Sequence, residues 1–179
     1  MVYIRFRKAL LNMEEGKKFR SITDYFNMLN MIYYVLVAIP LILFLIVYLD
    51  QKEILSDNGF LRSEQMYFKL ALALIVPLEV IAGELIFKNR MERDFSELFL
   101  QTKLHHYFQA SLIRYAAYFT ASLIAVVALY FFVEGLLVGL YMIVLFSFSL
   151  IRPTKKRIIS IGIFTDEEIR TINKEDIIP

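Results

Sequence analysis

The sequence predicts an all-α integral membrane protein, a four-helix antiparallel bundle with amphipathic cytoplasmic extensions. Hydrophobic residues make up 58% of its 179 residues, whereas soluble domains average roughly 45 to 50%. Four segments approach the length of about 20 mainly apolar residues that a transmembrane helix needs. The segments that connect them are alternately rich and poor in Lys and Arg, as expected of a chain that crosses a membrane repeatedly.

The four predicted spans divide the chain into three regions. The spans cover residues 28–49, 66–87, 111–133 and 136–151. An amphipathic cytoplasmic segment, 1–27, precedes them, and a cytoplasmic tail, 152–179, follows them. The fourth span has only 16 residues, so we expect it either to stand nearly upright or to include flanking residues. Only Glu134 and Gly135 separate the last two spans, which predicts a tight hairpin.

The distribution of Lys and Arg predicts the orientation of the spans. Residues 1–27 hold six of them, residues 88–109 hold four, and the tail holds six. The opposite side has two in the first loop, Lys52 and Arg62, one at the outer end of the second span, and none in the second loop. The positive-inside rule therefore places both termini in the cytoplasm.

The N-terminal segment is not expected to be a cleaved signal, because no unbroken apolar run or small-residue cleavage site follows its first basic residues. Met1 is therefore interpreted as the mature start. Apolar residues recur at helical spacing among the basic ones, at Tyr3, Phe6, Leu10 and Met13. Two interpretations remain open: an amphipathic helix on the membrane surface, or a solvated and partly helical arm.

Two capping patterns predict further helical structure on the cytoplasmic side. Asp94 followed by Glu97 predicts that the third helix begins near Asp94, well before its span. Thr165 followed by Glu168 predicts a short tail helix running toward Asn173. With 28 residues the tail is too short for a core of its own. We expect it either to dock on another part of the protein or to stay mobile.

Glu84 and Arg114 are predicted to form an ion pair inside the membrane. Glu84 lies four residues inside the boundary at Lys88, and Arg114 lies four residues past Ala110, so both are about 6 Å deep. Their spans run antiparallel and are joined on this side, which brings equal depths together. Pairing offsets much of the cost of holding either charge there. The alternative is that Arg114 faces lipid and reaches back to the headgroups.

Small residues predict which helix faces pack closely. A stripe at three- and four-residue steps after Arg114 lets another helix approach and turns Arg114 toward the bundle. The stripe consists of Ala117, Ala121, Ala125 and Ala128. Gly135 and Gly139 begin the fourth span with GxxxG spacing, which we interpret as a packing motif, with self-association as the alternative.

Glu79 is the candidate functional residue of the spans. It lies nine residues from Lys88, roughly 13 Å deep and near the middle of a hydrocarbon core about 30 Å thick. No Lys or Arg of another span reaches that depth, so we expect the carboxyl group to hold its proton. Its expected hydrogen-bond donors lie on the third span at Tyr118, Thr120 and Ser122.

The first and second predicted spans each contain a proline. Pro77 frees the backbone carbonyl of Ala73, and Pro40 frees that of Leu36 on the first span. Three roles remain open for Glu79. It could form a solute or ion site framed by two kinked helices, act as a buried acid that keeps its proton without transport, or contact a partner protein.

Other kinds of site have no support in the sequence. Cysteine is absent, which excludes disulfides, thiolate metal sites and catalytic thiols. His105 and His106 are adjacent, so on a helix they point about 100° apart, and there is no HExxH motif to bind a metal. No catalytic acid and base converge in the sequence pattern. We therefore predict no enzyme activity, cofactor, metal or nucleic-acid partner.

A basic run directly after the fourth span predicts contact with anionic lipid headgroups, although topology alone also requires positive charge there. The run consists of Arg152, Lys155, Lys156 and Arg157.

Three stretches carry a resemblance to known proteins. RPTKKRI at 152–158, LIRYAAYF at 112–119 and MIYYVLVAIP at 31–40 resemble a group of small bacterial four-span membrane proteins of unknown function. Those proteins also end their last span in an RPTK-like cytoplasmic turn. The resemblance implies a multi-pass protein of the bacterial inner membrane and carries no activity. In outline, a kinked hairpin with a membrane carboxyl group is also similar to the proteolipid subunits of rotary ATP synthases.

Two functions remain open at this point. The first is a non-catalytic accessory or structural subunit of a larger membrane complex, since 16 Phe and 11 Tyr offer more bulky surface than four helices can cover among themselves. The alternative is a proton or small-ion pathway centred on Glu79 in a homo-oligomer, with Glu84 and Arg114 as its cytoplasmic gate. The expected partners are the lipid bilayer and either other membrane subunits or further copies of the chain.

Overall fold

The described part of the chain is helical, as the sequence predicts. The computed structural model describes residues 21–54, 64–92, 99–132 and 135–174. Its helices are α1 (Ile22–Ile54), α2 (Glu64–Met91), α3 (Leu100–Phe131), α4 (Gly135–Leu150), α5 (Lys155–Ile159) and α6 (Asp166–Lys174). Predictions for residues 1–20, for the Asp94 and Glu97 capping pattern and for the Glu134 turn lie outside the described residues.

Capping groups near the helix ends explain several of these bounds. The Ser21 hydroxyl accepts a hydrogen bond from the Asp24 backbone N–H at 3.1 Å, so α1 begins six residues before the predicted span. At α6 the predicted capping box is present. The Glu168 carboxylate accepts from the Thr165 N–H at 2.8 Å, and the Thr165 hydroxyl accepts from the Glu168 N–H at 3.4 Å.

Backbone hydrogen bonds to Phe99 define the described start of α3. Phe99 is not helical, and its carbonyl accepts the first helical hydrogen bonds, from the N–H groups of Thr102 and Lys103. The described helix therefore begins at Leu100. It still extends well before the predicted third span, which starts at residue 111.

Three of the described helices are long and apolar enough to cross a membrane. These segments are Ile22–Asp50, Leu70–Met91 and Leu100–Phe131. The fourth apolar helix, Gly135–Leu150, has 16 residues and is shorter than a full span, in line with the short fourth segment predicted from sequence. Both α1 and α2 continue through their internal prolines, Pro40 and Pro77.

The described residues form two compact units, of which the larger is the apolar unit, residues 33–54, 64–92, 109–132 and 135–152. Aromatic rings join α1 to α4 in this unit. The Tyr33 and Phe148 rings lie 5.5 Å apart, and the Tyr33 hydroxyl donates to the Phe148 carbonyl at 3.1 Å. The Phe44 and Tyr141 rings stack at 4.2 Å. Because the residue numbers in these two pairs run in opposite directions, α1 and α4 are antiparallel.

The smaller unit, called the tail unit, contains residues 21–32, 99–108 and 153–174. The tail has docked, which settles the choice that the sequence left open. Its buried side chains include Ile158, Phe164 and Ile172. They share the unit with the fully buried Tyr25, whose hydroxyl donates to the Leu104 carbonyl at 3.1 Å. The tail thus obtains its core from the first turns of α1 and α3.

One buried ion pair joins the tail to α3. The Lys103 ammonium group, 1% exposed, donates to the Glu168 carboxylate at 2.9 Å. The accepting oxygen, Oε2, is also the one that caps the Thr165 N–H. A single carboxylate therefore both starts α6 and neutralises the buried lysine.

Replacing Glu168 with Ala is expected to release α6. The change removes a cap worth about 1 kcal/mol and leaves Lys103 buried without its carboxylate, so amide hydrogen exchange in residues 166–174 should accelerate by about tenfold or more. Glu167→Ala is the matched control, because Glu167 is exposed and next in sequence. Adding Lys103→Met to Glu168→Ala should restore part of the protection. Unchanged exchange in Glu168→Ala would show that the pair does not hold the tail.

Candidate functional site

The predicted ion pair lies beside a close contact between α2 and α3. A Cβ atom built on Gly83 would lie 2.6 Å from the Ala117 Cβ, closer than real Cβ atoms approach. Gly83 is buried. On α3, the alanine stripe that begins at Ala117 is buried at Ala121, Ala125 and Ala128. The absence of a side chain at Gly83 thus permits this helix contact. The alanine stripe was predicted from sequence, whereas its glycine partner on α2 was not.

Glu84 and Arg114 meet at this contact. The Arg114 Nε donates to Glu84 Oε1 at 2.7 Å, and its terminal amino group lies 2.5 Å from the same oxygen. Arg114 is only 6% exposed, so it turns inward and does not reach out past the helix surface. Its guanidinium also lies over the Phe87 ring, 4.6 Å from the ring centre.

Tyr118 completes this cluster. Its hydroxyl donates to Glu84 Oε1 at 2.8 Å, one turn of α3 beyond Arg114. The sequence placed Tyr118 beside Glu79. The helical period gives the reason for the difference, because Tyr118 is four residues from Arg114 and shares its face of the helix. Glu84 is therefore held by three donor groups that come from two residues.

Glu79 has a single hydrogen-bond partner among the described residues. The Thr120 hydroxyl bonds to the Glu79 carboxyl group, as the sequence predicted for one of three candidate donors. The same hydroxyl lies 2.9 Å from the Ala116 carbonyl and 3.1 Å from that of Ala117. Ser122 instead donates to the Tyr118 carbonyl of its own helix at 2.7 Å. In the described chain no Lys or Arg pairs with Glu79.

The remaining predicted site residues lie apart from this cluster. A Cβ built on Gly135 or Gly139 meets no atom within 4 Å, so neither makes a close helix contact within the described chain. Arg152 is exposed, and its guanidinium lies over the Tyr34 ring at 5.4 Å. The other basic-run residues are on or beside α5: Lys156 is exposed, and Lys155 and Arg157 are half-buried.

The carboxyl groups of Glu79 and Glu84 on α2 have different partners. In the described residues no cluster of three His, Asp or Glu side chains is placed to hold a metal ion. Glu84 carries its counter-charge from Arg114, whereas Glu79 carries only the Thr120 hydroxyl. The two carboxyl groups therefore differ in the way that the sequence suggests, one paired with a cation and one not.

Comparison of the chain with protein-family models, with curated proteins and with solved structures finds no match. The resemblance to small bacterial four-span proteins stays a prediction.

Proposed function

We propose that the protein is a non-catalytic subunit, accessory or structural, of a larger membrane complex. In this proposal the four apolar helices form an antiparallel bundle in the bacterial inner membrane, and both termini are cytoplasmic. The positive-inside distribution of Lys and Arg supports that orientation. The observation that carries the proposal is the bare outer face of α2.

Among the three long apolar helices, α2 has the least contact with its own chain. Only 11% of its apolar window is buried, against 50% of the α3 window. Its exposed face repeats at helical spacing and consists of Leu74, Leu78, Ile81 and Leu85, which are 53% to 61% exposed. A partner helix laid along this face would bury it continuously.

The polar groups of α2 point to the same interpretation. Glu84 is satisfied by Arg114 and Tyr118 at the contact with α3, and these groups position one helix against the other. What α2 offers to another molecule is therefore its apolar surface.

Extraction of the particle from native membranes into lipid nanodiscs, without overexpression, tests this proposal. We expect stoichiometric foreign subunits in the measured mass and composition. A photo-crosslinking residue at Leu78 should then form an adduct with one of those subunits. The same probe at Val76, two residues earlier and fully buried, should react only within the chain. A particle that contains this chain alone would contradict the proposal.

A proton or small-ion pathway centred on Glu79 is the second candidate function. The contact between the Glu79 carboxyl group and the Thr120 hydroxyl favours it. A hydroxyl has a single hydrogen, so Thr120 can donate either to Glu79 or to the Ala116 carbonyl. In the second arrangement a protonated Glu79 can donate to Thr120 in turn. The contact thus accommodates both states of the carboxyl group, as a proton relay requires.

A homo-oligomer in the native particle would move the choice to this second candidate. In reconstituted vesicles of that oligomer, Glu79→Gln is expected to abolish proton or ion flux and to leave the helical content intact. Glu167→Gln, which removes an exposed carboxylate of the tail, is the control. Unchanged flux in Glu79→Gln would exclude the pathway.

A further inference from the structure

An open groove of about 660 Å³ runs between α1 and α4 in the apolar unit. Tyr33, Tyr34 and Val37 of α1 form one wall, and Leu145 and Phe146 of α4 face them. Neither Glu79 nor the Glu84 cluster lines this groove, so it is separate from the site described above.

The groove has one apolar end and one cationic end. Its lining on α4 begins at Met142 and continues past Ser149 to Arg152, a length of about 15 Å along the helix axis. The Arg152 guanidinium lies over the Tyr34 ring, and in the described part of the chain it forms no ion pair with a carboxylate. An arginine side chain keeps its charge under all physiological conditions. The groove therefore has a permanent cation at one end of its apolar lining.

We infer that this groove binds one anionic phospholipid, with an acyl chain between α1 and α4 and the phosphate at Arg152. The inference rests on the proposed membrane location of the helices. An amphiphile with an apolar chain and a negative head matches both ends of the groove. Arg152 also directly follows the last apolar helix, where the headgroups of the cytoplasmic leaflet would lie. Basic groups between helices on the cytoplasmic side are a recurrent mode of anionic-lipid recognition.

Tyr34 strengthens the cationic end. Its ring is 49% exposed and lies beneath the guanidinium, so it orients Arg152 without removing its charge. The planar guanidinium can then donate two parallel hydrogen bonds to a phosphate. The Ser149 hydroxyl, one turn before Arg152, is a further donor at the same end.

Native mass spectrometry of the full chain, with any partners that co-purify, tests this inference. The sample is exchanged into nanodiscs that contain phosphatidylglycerol or phosphatidylcholine, and the lipid retained after gentle release is counted. We expect preferential retention of one phosphatidylglycerol. Arg152→Gln should lower that retention about fivefold, since a basic residue at the membrane surface contributes about 1 kcal/mol to anionic-lipid binding. Arg170→Gln is the matched control, because it removes the same side chain at an exposed position outside the basic run.

A second variant tests the apolar part of the groove. Leu145→Trp should fill the apolar part of the groove and reduce retention of both lipids. Circular dichroism should show unchanged helical content. Equal losses in Arg152→Gln and Arg170→Gln would indicate diffuse surface attraction and overturn the inference. Equal retention of the two lipids by the unmodified chain would also overturn it.

The same spectra separate this inference from the proposed function. Foreign subunits, if present, appear as added protein mass whether or not lipid is bound. If Arg152→Gln or Leu145→Trp instead removes a protein subunit, the groove is a protein contact and the lipid inference fails. If lipid retention follows the expected pattern in a particle without foreign subunits, the accessory role fails and the lipid site stands.

Discussion

Replacing Glu84 with Ala is expected to destabilise the protein by about 3 to 5 kcal/mol, because it leaves the buried charge of Arg114 without a partner. Replacing Arg114 with Met is expected to cost less, about 1 to 3 kcal/mol. The asymmetry follows from burial and chemistry. Arg114 is 6% exposed, whereas the Glu84 side chain is 37% exposed. Glu84 also keeps its hydrogen bond from Tyr118.

The double variant Glu84→Ala with Arg114→Met should recover much of the lost stability, since it leaves no unpaired charge. The measurement is unfolding in mixed micelles with increasing dodecyl sulfate, followed by the helical signal in circular dichroism. Glu92→Ala is the control, because Glu92 forms an exposed i,i+4 pair with Lys88 at 3.6 Å and its removal should change stability by less than about 0.5 kcal/mol. A larger loss in Arg114→Met than in Glu84→Ala would contradict the assigned asymmetry.

Adding one methyl group at Gly83 is expected to separate α2 from α3. Gly83→Ala would place a Cβ 2.6 Å from the Ala117 Cβ, which is fixed to the backbone and cannot rotate away. One helix must therefore shift, and overpacking of this kind costs about 1 to 3 kcal/mol. The shift would also stretch the nearby Glu84 to Arg114 contact. The same unfolding measurement in mixed micelles reports the loss.

Two further variants test whether the contact with Ala117 causes the loss of stability in Gly83→Ala. Ala117→Gly in the Gly83→Ala background should restore stability, because it removes the atom that the new methyl group meets. Gly139→Ala is the matched control on α4. No atom lies within 4 Å of the position that its methyl group would take, so the higher helix propensity of Ala should leave stability equal or slightly raised. Loss of stability in Gly139→Ala equal to that in Gly83→Ala would show that the close contact is not the cause.

The ion pair between Glu84 and Arg114 could be predicted from sequence because its geometry is nearly one-dimensional. Two antiparallel helices joined at one end bring residues of equal depth together, and depth follows from counting residues at about 1.5 Å each. To predict the partner of Glu79, one more quantity is needed besides depth: the rotation of α3 about its axis. Residues 118 and 120 differ by about 200° around a helix, so only one of them can face a given point. Depth alone could not choose between them.

The tail shows a second limit of structure prediction from the sequence pattern. Its capping box was predictable, because Thr165 and Glu168 are three residues apart and their bonds form within a single turn. The second role of Glu168 was not predictable. Lys103 is 65 residues away in the chain, and nothing in the local pattern distinguishes it from the other basic residues that set the orientation. Only the docking of the tail buries it.

The sequence by itself determined that this protein is helical, where its apolar helices lie and which carboxyl group would be paired with a cation, because these depend on composition, spacing and short connections. The tertiary structure alone decided three other matters: the Gly83 contact with Ala117, the burial of Lys103 against Glu168, and the groove that ends at Arg152. Each of these arises where two helices from distant parts of the chain meet. Their rotation and separation there are set by the packing of whole side chains, which no local pattern records.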